Sequence, residues 1–125
     1  KINNGNIINH GQIYLIDFGV SEYFGINSNY LCNKRVGKVK YQSPEVYNNK
    51  LKYNAKLQDI WALGVCLFIM HTKFEPYKEP TINDDNYYNI INGFTKQMLI
   101  DSNILIFMND TCIDLINNIM TFQQK

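Results

Sequence analysis

The chain has 125 residues, 46% of them apolar, and a net charge of +1. That is enough apolar material for the core of one small domain. The near-neutral balance gives no electrostatic case for nucleic acid or an acidic membrane surface. Cys32, Cys66 and Cys112 stand far apart and are odd in number, which fits reduced thiols in an intracellular, reducing compartment better than a disulfide framework or a zinc site. No signal-like charged and apolar opening is present. The chain opens on Lys1 without Met and stops at Lys125 just after an amphipathic segment, so both ends read as cut from something larger.

In chain order, residues 6–9, a turn at His10-Gly11 and Gln12–Ile16 predict a hairpin of two short strands. Its second strand runs into Asp17-Phe18-Gly19. An acid at the end of an apolar strand, followed by glycine, suits a metal-binding turn, because the strand fixes the carboxylate and glycine lets the backbone leave. Residues 20–40 show little periodicity and read as a long surface loop. Pro44 then suits the first turn of a short helix with Ser43 as its cap. Residues 48–54 read as a loop.

Asp59 to His71 is the centre of the pattern. After Asp59 it holds no Asp, Glu, Lys or Arg, and apolar residues occur on every face of the 3.6-residue repeat. This predicts a buried helix capped by Asp59; it is too short for a bilayer, which needs ~20 apolar residues. A proline-punctuated exit follows at Phe74–Pro80. Asp84 and Asp85 should cap an amphipathic helix with Tyr87, Ile90, Ile91 and Phe94 on one face and Gly93 near its end. Residues 98–108 read as an irregular packed loop. Asp110-Thr111 should cap a last helix that buries Cys112, Leu115, Ile116, Ile119 and Met120. The fold class is therefore mainly α with a small β-hairpin.

Three landmarks stand in fixed order: Asp17-Phe18-Gly19, Ser43-Pro44-Glu45, and Asp59-Ile60-Trp61-Ala62-Leu63-Gly64. Asp17 and Glu45 are 28 positions apart, and Glu45 and Asp59 are 14 apart. Pro76-Tyr77 adds a proline-aromatic pair after the helix. This arrangement resembles the C-terminal lobe of a eukaryotic protein kinase over essentially the whole chain. It implies a partial kinase domain over residues 1–125, with the N-lobe and final helix absent, and a part of an enzyme that transfers phosphate from ATP to Ser/Thr hydroxyls of a protein substrate. The finer pattern from Val36-Gly37-Lys38 through Tyr47 and the central helix resembles the FIKK family, which would imply export toward a host cell.

The resemblance assigns roles residue by residue. Asp17 becomes the Mg²⁺ ligand, with Phe18 and Gly19 completing its nucleotide-side motif. Counting back by the family's spacing makes Asn4 the second metal ligand and Lys1 the catalytic-loop lysine. A rival alignment matches Asn6-Ile7-Ile8 to the family's Asn-Ile-Leu and would place Lys1 where the catalytic Asp belongs. Glu45 implies an arginine partner, and the chain's one arginine is Arg35. The partner is thus expected beyond Lys125, and an unpaired buried Glu45 would cost the isolated piece on the order of 3–5 kcal/mol. Asp59 would brace the catalytic loop. Lys38 stands where Ser/Thr kinases carry Thr, and no Thr precedes Thr72. Lys38 is thus a candidate contact for an acidic substrate residue or for the catalytic Asp, and Ser21, Tyr23, Ser28 and Tyr30 remain as loop phosphoacceptors. The same departures motivate a second reading, a pseudokinase or interaction scaffold.

Overall fold

The computed structural model describes residues 2–3, 6–7, 12–26, 29–48, 52–105 and 108–121. Its centre is α2, Ala55–Thr72. The helix starts at Asn54, whose side-chain oxygen accepts the N–H groups of Lys56 and Leu57 at 3.0 and 3.3 Å. Asp59 therefore lies beyond the first turn and is not the cap. The apolar run begins late, but the capping amide sits one turn earlier, and that amide sets the boundary. The helix ends at Lys73 in the left-handed region, whose N–H bonds to Ile69 O.

Trp61, Val65, Phe68 and Thr72 recur at spacings of four, three and four and form the buried stripe of α2. Fully burying a side chain of this size stabilises by about 1.5–3 kcal/mol. The opposite face does not match the expectation of burial all round. Leu63 is 60% exposed and Met70 62%, because the described residues that pack on α2 come from one side.

The buried stripe shares its core with the exit loop and three shorter helices, α3 at Asp85–Ile91, α4 at Thr95–Asp101 and α5 at Asp110–Thr121, and α2 also touches residues 39–41 and 53–54. Trp61 Nε1 donates to Tyr77 Oη at 2.7 Å, and Tyr87 completes an aromatic cluster, set edge-on to Tyr77 with centroids 5.5 Å apart. Asp84 caps α3 by accepting Tyr87 N–H at 3.0 Å, and Tyr87 and Ile90 are buried as expected, while Phe94 is exposed. The loop expected over residues 98–108 is partly helical. Thr95, Met98 and Leu99 form an i, i+3, i+4 stripe that opens before that window and is buried against the core. In α5, Asn109 Oδ1 rather than Asp110 or Thr111 accepts Cys112 N–H, at 2.9 Å. Ile113, Ile116 and Met120 are buried there, and Leu115 is exposed.

The first part of the chain is thinner. β1, Ile2–Asn3, pairs antiparallel with β2, Asn6–Ile7. This is a different hairpin from the expected one of residues 6–9 with Gln12–Ile16: residues 6–7 pair with residues 2–3, and the turn at His10-Gly11 lies outside the described residues. Gln12–Ile16 is no strand. The segment finds no ladder among the described residues, and Ile13 is 93% exposed. Further on, β3, Leu31–Cys32, pairs antiparallel with β4, Tyr53–Asn54, in residues expected to be loop. α1, Pro44–Tyr47, follows a 3₁₀ turn at Val39–Tyr41. The cysteines are free thiols, and no helix among the described residues is long and apolar enough to cross a membrane.

Candidate functional site

The long loop is stitched to the start of α2. Besides the β3–β4 ladder, Ala55 N–H donates to Tyr30 O at 2.8 Å and Tyr53 Oη to Lys34 O at 2.6 Å. Lys56 Nζ lies 3.5 Å from the centroid of the Tyr30 ring. Cys32, Val46 and Tyr53 make a small second core with Phe24 and Ala55. Burial, and the neighbouring Cys32, push the Tyr53 phenol above its ordinary value.

Between this stitching and α1, residues 36–43 form a tight arch. Gly37 sits at φ 82°, a conformation that favours glycine. Gln42 and Gln58 hold the arch through their side-chain amides. Ser43 occupies the cap position of α1 with Pro44 in its first turn, but its hydroxyl makes no cap bond; Oγ is buried without a hydrogen-bond partner among the described residues. Lys40 pairs with Glu75, and this hydrogen bond raises its ammonium pKa. Tyr47 Oη donates to Glu79 Oε2 at 2.6 Å.

A cavity of about 600 Å³ lies between the loop and the first turns of α2, with Glu22, Lys34, Lys38, Lys56, Gln58 and Asp59 in its wall. Lys38 and Asp59, distant in sequence, are thus brought to one cavity. Glu45, expected to be buried and unpaired, is only half-buried. No ion pair to it is present among the described residues, and Arg35 instead stacks on Tyr47 at 5.2 Å.

Asp17 stands apart from this cavity. Its backbone is left-handed, with φ 62°, and its Oδ1 accepts Gly19 N–H at 3.4 Å. Ser21 N–H closes the turn onto Phe18 O at 3.0 Å. A Cβ on Gly19 would lie 3.3 Å from Asp17 Oδ1, so glycine is what lets the carboxylate fold over this turn. Phe18 is 68% exposed, and the first residue of the cavity wall is Val20, three positions after Asp17. Lys1 and Asn4 lie outside the described residues. The donor chemistry at Asp17 fits a hard cation such as Mg²⁺, which takes one or two carboxylates plus phosphate oxygens rather than a protein cage. The described residues hold no group of three or more His, Cys, Asp or Glu side chains that could hold a metal ion.

Gln42 and Gln58 are the site residues that sequence reasoning misses. Neither belongs to a motif, and glutamine has no periodic signature.

A family profile for the protein kinase domain matches residues 1–125. The serine/threonine-protein kinase PSK2 of Saccharomyces cerevisiae is 35% identical over 122 residues, covering 96% of this chain and 10% of that protein. The serine/threonine-protein kinase PRR2 of the same yeast is 32% identical over 96 residues, 74% of this chain and 14% of that protein. The mouse serine/threonine-protein kinase DCLK3 is 30% identical over 111 residues, 89% of this chain and 13% of that protein. The chain therefore spans between 9% and 21% of the length of such curated relatives.

Proposed function

The chain belongs to the protein kinase domain family, and on that premise we propose that the whole protein transfers the γ-phosphate of ATP to serine or threonine hydroxyls of protein substrates. The observation that supports this most is the register. The family match runs over residues 1–125, and Asp17-Phe18-Gly19, Ser43-Pro44-Glu45 and Asp59–Gly64 fall in it in the family's order. Phosphoryl transfer is mostly positioning and charge neutralisation. When bound, Mg²⁺ would offset the charge of the phosphates. In this proposal Asp17 and, by the family's spacing, Asn4 would hold that ion, and Lys1 would be the catalytic-loop lysine.

The chain's other residues do the positioning. Asp59 accepts backbone N–H groups of the catalytic loop from the floor of the cavity, and residues 36–43 receive the substrate chain. Lys38, exposed in the cavity wall and with no hydroxyl to offer, attracts an acidic substrate side chain or the catalytic carboxylate. The catalytic Asp, the glycine loop and the ATP-anchoring Lys–Glu pair belong to the rest of the protein, so residues 1–125 alone do not catalyse. Free thiols favour a reducing, intracellular setting. The narrower FIKK likeness rests on residues 36–68 alone, and none of the three relatives named above is a FIKK kinase, so no host export is proposed.

The test is a transfer assay on the full-length protein with γ-labelled ATP, Mg²⁺ and a degenerate peptide pool. Label on phosphoserine or phosphothreonine is the expected result. Label on phosphotyrosine would refute the substrate class, and nucleotide binding without transfer would favour the scaffold reading.

A further inference from the structure

The arch over residues 36–43 has backbone groups that no helix or sheet ladder satisfies, and two glutamine amides take them up. Gln42 is 3% exposed. Its Nε2 donates to Val36 O at 3.1 Å and Gly37 O at 3.0 Å, and its Oε1 accepts from Arg35 Nε at 3.1 Å. Gln58 reaches over from α2. Its Nε2 donates to Tyr41 O at 2.9 Å, and its Oε1 accepts Ser43 N–H at 2.7 Å. The amide's separate N–H and C=O let Gln58 donate to one backbone group and accept from another two residues on; a carboxylate offers acceptors alone and an ammonium donors alone. The Arg35 guanidinium rests on Tyr47, which ties the first clamp to α1. Lys38 lies between the two clamps, and none of these bonds uses a hydroxyl.

We propose that Gln42 and Gln58 are positioning residues that fix residues 36–43 as the substrate-docking loop, and that this amide frame sets the loop's shape without a phosphorylated side chain. The inference rests on the kinase reading above and deepens it. A loop with no Thr at all still needs its backbone held, and the two amides do this from the buried Gln42 side chain and from a rigid helix.

The experiment uses the full-length protein with Gln58→Met and Gln42→Met, which keep the side-chain length but remove the bonds, and Gln58→Glu, which keeps the acceptor only. Hydrogen exchange at residues 36–43 should speed up about tenfold in the Met variants, the loss of one amide pair, while exchange in α3, α4 and α5 holds and the melting temperature falls by only a few degrees. KM for peptide should rise about tenfold with KM for ATP unchanged, and Gln58→Glu should fall between wild type and Gln58→Met. Phosphatase treatment of the wild type should leave its peptide KM where it was. Unchanged exchange in the Met variants overturns the frame, as does a rise in KM for ATP equal to that for peptide. A phosphatase-induced rise in peptide KM overturns the claim that no phosphate is needed. Absence of any transfer by the wild type refutes the kinase reading alone, and the exchange rates still decide the frame.

Discussion

Ser43 is fully buried, yet its hydroxyl meets no partner among the described residues, so its small volume matters more than its polarity. Removing an orphaned polar atom costs little and can stabilise. Ser43→Ala in the full-length protein should leave stability unchanged or raise it by about 1 kcal/mol, read as the denaturant midpoint; a comparable loss would mean that the hydroxyl is bonded. The opposite case is Tyr77, which accepts the Trp61 indole N–H in the middle of the core. Tyr77→Phe leaves that donor buried and unpaired and should destabilise by about 1–3 kcal/mol. The phenols of Tyr53 and Tyr77 also give a pH dependence. Burial raises both above the ordinary ~10, so the unfolded chain loses these protons first. Their stabilising effect is complete below about pH 10 and falls as pH rises above it. Lys34 and Lys40, raised by hydrogen bonds to Glu22 and Glu75, act in the same direction from the surface. A denaturant midpoint that rises from pH 9 to 11 would contradict this.

At the scale of elements, α2 is bounded by its cap and by its closest neighbour. Asn54→Ala removes the acceptor for two N–H groups and should cost about 1 kcal/mol. Gly64 faces α5 so closely that an added Cβ would lie 2.8 Å from Ile119 Cγ2. Gly64→Ala should therefore destabilise by about 1–3 kcal/mol as α5 shifts, and an unchanged melting temperature would show that Ile119 simply rotates away. These elements were legible to different degrees for physical reasons. α2, α3 and α5 announce themselves through apolar period and acidic or amide starts. The start of α2 differs from the expectation because Asp59 leads the apolar run, whereas the operative cap is an asparagine one turn earlier, before a stretch of two polar and two apolar residues. α4 was missed because its stripe begins at a threonine. Gln12–Ile16 reads as a strand from its residue types, but a strand also needs an edge to pair with, and that is a property of the neighbours.

For the whole molecule, order along the chain carried more than local pattern did. Three short motifs, each weak alone, fix the architecture through their spacing, and the family match spans the same residues. The cavity that joins Lys38 to Asp59 and the glutamine frame were not legible, since both come from the loop folding back on α2. The site divides into a docking arch held on that helix and an exposed turn that presents Asp17. Because the proposal puts the catalytic Asp and the ATP-anchoring pair outside them, residues 1–125 expressed alone should transfer no phosphate. The proposal that Asp17 holds the magnesium of ATP is tested most directly by Asp17→Asn in the full-length protein, assayed for phosphate transfer from ATP to a serine or threonine peptide. The expected result is transfer at background level with the melting temperature unchanged, because the Asp17 side chain is exposed; near-normal turnover would contradict the assignment.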